Sequence, residues 1–126
     1  ETASVSAKQR LLENMKRLMD YGVVFSLDDF GTGQSNLDYM LDMPVSTIKF
    51  DRELINAYFE SSKAKYILEA VLQMIQGMNL QTISEGIETK EQLDMMEKLG
   101  VDYIQGYYFS KPVCEKDFLE YITSWK

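Results

Sequence analysis

Apolar and polar positions recur along the chain at two periods. From Lys8 to Tyr21, Leu11, Leu12, Met15, Leu18 and Met19 fall at helical spacing, and Gly22 stands where a helix commonly stops. Val23 to Leu27 is an apolar run of strand length, ended by Asp28 and Asp29 and then by the turn Gly31-Thr32-Gly33. Such a run predicts a strand buried on both faces. Ser35 to Met43 carries Leu37, Met40 and Leu41, a short helix stopped by Pro44. Thr47 to Asp51 alternates as a strand does. Lys63 to Met78 predicts a helix whose apolar stripe is Tyr66, Ile67, Ala70, Val71, Met74, Ile75 and Met78. Gln81 to Glu85 is a third strand. Thr89, with Gln92 three residues on, forms a capping box and opens a helix through Leu93 and Met96 to Leu99, closed by Gly100. Asp102 to Gln105, followed by Tyr107 to Phe109, gives a fourth strand. Pro112 marks a turn, and Asp117 to Trp125 predicts a final helix burying Phe118, Leu119, Ile122 and Trp125.

Helices alternating with strands imply βαβ units and a parallel sheet, an α/β fold. In such a sheet all strand tips point to one end. The first tip carries Asp28 and Asp29, the second Lys49 and Asp51, the third Glu85 followed by Gly86 and Glu88, and the fourth Gln105 followed by Gly106. Carboxylates gathered this way bind hard divalent cations. A lysine among them is held charged and can orient a water or an anionic phosphate. Each residue has a plainer reading. Asp51 could pair with Arg52 or cap a turn, and Glu88 could be a first-turn acid favoured by the helix dipole. Gln105 could be a satisfied strand-end amide, and Tyr107 and Tyr108 core or rim aromatics. Lys49, between Ile48 and Phe50, demands a partner in a buried strand.

Composition narrows the chemistry. The 126 residues are a single-domain length, and 45% are apolar, enough for a core. No apolar run approaches the roughly 18 residues of a membrane span, and the polar start shows no secretory leader. The one cysteine, Cys114, fits a reducing, cytoplasmic setting. The absence of histidine removes His-based catalysis and leaves oxygen donors for any metal, which suits Mg²⁺, Mn²⁺ or Ca²⁺. A net charge of −7 argues against bulk attraction to DNA, RNA or anionic lipid.

Together, Asp28-Asp29-Phe30-Gly31-Thr32-Gly33, Ile48-Lys49-Phe50-Asp51-Arg52, Glu85-Gly86-Ile87-Glu88-Thr89 and Gln105-Gly106-Tyr107-Tyr108-Phe109-Ser110-Lys111-Pro112 resemble the C-terminal half of an EAL domain. The resemblance implies a (β/α) barrel of the TIM type, of which residues 1–126 supply about the last four strands. It implies hydrolysis of cyclic di-GMP to linear pGpG by two-metal attack of water, with two Mg²⁺ or Mn²⁺ ions. Glu1, Asp28 and Asp29 would be metal ligands, and Lys49 would orient the water with Asp51 beside it. Glu85 would be general base or metal ligand. Glu88 would anchor the loop that starts at Phe30, and Gln105 would complete the site.

The Glu-Ala-Leu signature and a metal-binding Asn of the family are absent, and Glu69-Ala70-Val71 lies mid-helix. Gln34 and Asn36 depart from the family's loop. Such a half-barrel is expected to be inactive alone, and to pair as a homodimer or with a missing half-domain, because its edge strands lack partners. The competing functions are a cyclic di-GMP receptor that does not cleave, and an interaction module.

Overall fold

Short apolar strands followed by polar turns and amphipathic helices fold here as a right succession of βα units. The computed structural model describes the backbone of residues 2–30 and 37–125, and their side chains apart from those of residues 2–5, 29 and 37–39. The elements are α1 (Thr2–Met19), β1 (Ser26–Phe30), α2 (Leu37–Asp42), β2 (Thr47–Phe50), α3 (Arg52–Glu60), α4 (Ser62–Gly77), β3 (Gln81–Ser84), α5 (Lys90–Lys98), β4 (Tyr103–Ile104) and α6 (Glu115–Ser124). The strands form one parallel sheet in the order β1-β2-β3-β4.

Alternation along the strands separates two faces of the sheet. Ile48 and Phe50 of β2, with Thr82 and Ser84 of β3, are buried on one face. Helices cover that face: Ile55 and Tyr58 of α3, Leu68, Leu72 and Ile75 of α4, and Met96 of α5 complete the core with Phe30, Met40 and Ile87. Each such apolar side chain contributes about 1.5–3 kcal/mol by leaving water. Thr47, Lys49 and Ile83 alternate onto the other face and stay partly exposed. Buried Thr82 is satisfied by Asp102, whose carboxylate accepts from the Thr82 backbone N–H (2.9 Å) and hydroxyl (3.2 Å) while the Asp102 N–H donates to that hydroxyl oxygen (3.1 Å).

The structure revises several sequence expectations. Val23 and Val24 are outside the first strand and exposed, at 40% and 79%. Registered pairing begins at Ser26, opposite Thr47, with the Ser46 N–H donating to Phe25 O just before it; Asp28 and Asp29 lie inside β1 rather than beyond it. Arg52–Glu60 forms a helix that the polar-apolar pattern did not announce, started by Asp51. On α4 the buried residues are Leu68, Leu72 and Ile75, whereas Tyr66, Ile67, Met74 and Met78 face outward. The fourth strand stops at Ile104, and residues 106–109 turn instead, with the Tyr108 N–H donating to Ile87 O and the Phe109 N–H to Gly106 O. The α6 residues Phe118, Leu119, Ile122 and Trp125 are about half exposed rather than buried.

Candidate functional site

A β-bulge shapes the first strand tip. Leu27 pairs with Ile48 and Phe30 with Phe50, so two residues of β1, Asp28 and Asp29, stand against the single Lys49 of β2. In a regular strand Leu27 and Phe30, three apart, would occupy opposite faces. The extra residue returns Phe30 to the core side, where its ring meets Phe50 edge-on at 5.8 Å. The same extra residue sets both acids opposite the lysine.

The next three tips share one construction. The Asp51 N–H donates to Phe30 O, the Glu85 N–H to Phe50 O and the Gln105 N–H to Ser84 O, each the last carbonyl of the preceding strand. Asp51, Glu85 and Gln105 are thus equivalent positions, each one residue past its strand. Asp51 also caps α3, its carboxylate accepting from the Glu53 N–H at 2.9 Å, which supplies one of the helix's orphan donors with a partner.

Lys49 Nζ lies 3.2 Å from Glu85 Oε2, with both side chains 21% exposed. The pair is sheltered from solvent but not sealed, so its charges interact more strongly than a surface pair and still reach water. Beside it Asp51, Arg52, Glu85, Gly86, Glu88, Gln105, Gly106 and Tyr107 line a cavity of about 420 Å³. The Glu88 carboxylate is 4.0 Å from the Arg52 guanidinium, and the Glu88 N–H donates to Gln92 Oε1 of the α5 capping box. Lys111 Nζ stands 5.8 Å over the Tyr107 ring at the rim.

The structure therefore brings together Lys49, Asp51, Glu85, Glu88 and Gln105 at one end of the sheet, with exposed Asp28 in the bulge beside Lys49. Glu1 and the loop residues Gln34 and Asn36 lie outside the described residues, as does the side chain of Asp29. Among the described residues no three acidic or thiol side chains meet closely enough to hold a metal by themselves. In the sequence reading Arg52 has no role beyond that of a partner for Asp51. Its one visible signal was a cation placed directly after a tip acid.

The EAL domain family model matches residues 1–112, and the chain belongs to the EAL domain family. The cyclic di-GMP phosphodiesterase RocR of Pseudomonas aeruginosa is 35% identical over 98% of the chain and 31% of that protein. The EAL enzyme Bd1971, solved with cAMP and cyclic di-GMP bound, superposes with a TM-score of 0.83 at 36% identity, over 88% of this chain and 30% of that one. Klebsiella pneumoniae BlrP1, in a manganese and cyclic di-GMP complex, superposes with a TM-score of 0.72 at 29% identity, over 79% and 26%. The chain spans between 16% and 31% of the length of the first curated relatives it matches. Its four parallel strands belong to a β/α barrel of the TIM type.

Proposed function

We propose that this chain is the C-terminal half of a phosphodiesterase domain that hydrolyses cyclic di-GMP to linear pGpG with the help of divalent metal ions. The Lys49–Glu85 ion pair, set opposite the bulged Asp28-Asp29 tip, carries the reading. Family membership and the ligands named for Bd1971 and BlrP1 support it. The donor chemistry suits Mg²⁺ or Mn²⁺, since the chain offers carboxylates and no histidine. Asp28 and Asp29 would hold the ions together with Glu1. Bound there, a divalent ion supplies Lewis acidity toward a phosphoryl oxygen and eases ionisation of water.

The chain's own residues orient and move protons. Lys49, fixed by Glu85, directs a water toward one phosphodiester with its ammonium N–H groups. Glu85 would either accept that water's proton or add a donor oxygen to a metal ion. Water's oxygen replaces one bridging oxygen on phosphorus, and that oxygen leaves as the ribose hydroxyl. Asp51 and Gln105 hold the adjoining wall, with Glu88 fixing its loop. Among the described residues no helix is long and apolar enough to cross a membrane.

Hydrolysis by the full-length protein that carries this chain tests the proposal. Expected are Mn²⁺- or Mg²⁺-dependent formation of pGpG, its loss in EDTA, and a fall of about 10²–10³ in kcat for Lys49→Ala with normal folding. Binding of cyclic di-GMP without turnover would replace the enzyme by a receptor. Wild-type turnover in Lys49→Ala would remove the lysine from the chemistry.

A further inference from the structure

We infer that Arg52 is a positioning residue for this site: it ties the β2–α3 tip to the β3–α5 tip by lying across Gly86 and reaching Glu88. The inference rests on the phosphodiesterase reading for its consequence, but on local geometry for its existence. Arg52 opens α3 directly after the Asp51 cap, so its Cα is anchored. Its stem then passes over the neighbouring turn at a distance only glycine permits. A Cβ added at Gly86 would lie 2.4 Å from Arg52 Cγ, 2.5 Å from its Cβ and 2.8 Å from its Cδ. Gly86 also holds φ at +78°, a left-handed conformation that favours glycine independently.

The guanidinium continues past Gly86 to Glu88, its Nη1 4.0 Å from Oε1. Both side chains are more than half exposed, at 63% and 55%, so this ion pair by itself stabilises little. What distinguishes it is the packed stem, which fixes the direction of the charge. Gly86 directly follows Glu85, the partner of Lys49. A shift of the Gly86 peptide therefore displaces Glu85, and through it the lysine. The Arg52 stem over Gly86 and its ion pair with Glu88 hold the turn at two points. Arg52 thus acts on the chemistry through Glu85, without touching reacting atoms.

The test uses the full-length protein carrying this chain, with kinetics on cyclic di-GMP and amide deuterium exchange. In Arg52→Ala, kcat is expected to fall about 10- to 100-fold, as misplacement of a reacting group by about an ångström does, with KM within about threefold. Exchange at residues 85–88, and at the 105–108 turn bonded to Ile87, should speed up about tenfold while the rest of the sheet is unchanged. Arg52→Lys, whose stem still covers Gly86 and whose charge still faces Glu88, should return kcat to within about threefold of the parent. A raised KM with unchanged kcat would make Arg52 a substrate contact and overturn the inference. So would unchanged kinetics and exchange, the behaviour of a surface ion pair, and so would faster exchange throughout the molecule. Should the parent not hydrolyse cyclic di-GMP, the functional reading fails, while local exchange at 85–88 still decides Arg52.

Discussion

Tyr58 shows how a single residue sets a pH limit on this fold. It is 4% exposed, and its phenol O–H donates to Glu69 Oε1 at 3.3 Å. Burial raises its pKa above the ordinary 10.0, and the charge and hydrogen bond of Glu69 raise it further. The folded state therefore keeps the proton longer than the unfolded state does. The resulting stability is fully present below the unfolded pKa and is lost as pH rises through the folded one. Unfolding monitored from pH 9 to pH 12 should show a steep alkaline loss in the parent and a weaker one in Tyr58→Phe, so that the parent's lead at neutral pH shrinks as pH rises. Equal alkaline slopes would show that other groups govern the loss. Single residues were unevenly legible in the sequence. The Thr89–Gln92 capping box was readable because both partners are local. The stem of Arg52 over Gly86 was not, because 34 positions of chain separate partners that only the sheet brings together.

At the scale of elements, the β1 bulge separates what serves the core from what serves the site. Deleting Asp29 would leave Leu27, Asp28 and Phe30 against Ile48, Lys49 and Phe50, a regular parallel pairing with Phe30 still on the core side. The deletion is therefore expected to leave stability little changed while abolishing metal-dependent turnover. Thermal melts and hydrolysis assays on the full-length protein check both halves, and an unfolded deletion variant would mean that the bulge also supports the core. The bulge was hidden from sequence reasoning because two adjacent acids look the same whether they end a strand or interrupt one. The α4 stripe was misassigned for a related reason: the helix carries apolar residues on two sides, and periodicity alone does not say which side meets the sheet.

For the whole molecule, alternating helices and strands made the parallel α/β fold legible, since each unit announced itself by period. The contents of the outer surfaces were not legible in this way. Phe118, Leu119, Ile122 and Trp125 on α6, with Tyr21, Val24 and Leu41 elsewhere, remain substantially exposed, and β1 and β4 are the sheet's two edges among the described strands. Apolar patches and open edges of this kind drive association. The 126-residue chain expressed by itself should therefore self-associate, with light scattering giving a mass above that of one chain. A monodisperse monomer with a sharp cooperative melt would show that these surfaces are tolerated in water.

Gly106 meets Ile87 backbone to backbone: a Cβ at Gly106 would fall 2.0 Å from Ile87 O. Ile87, fully buried, also donates to Gln105 O and accepts from the Tyr108 N–H. The third and fourth tips are thus mechanically one part, with no side chain between them to act as a spring. Glu85 and Glu88 on one loop, and Gln105 on the other, shift together or stay together. A displacement of one loop is therefore expected to carry the other with it, so that a change at Glu85 or Glu88 is felt at Gln105.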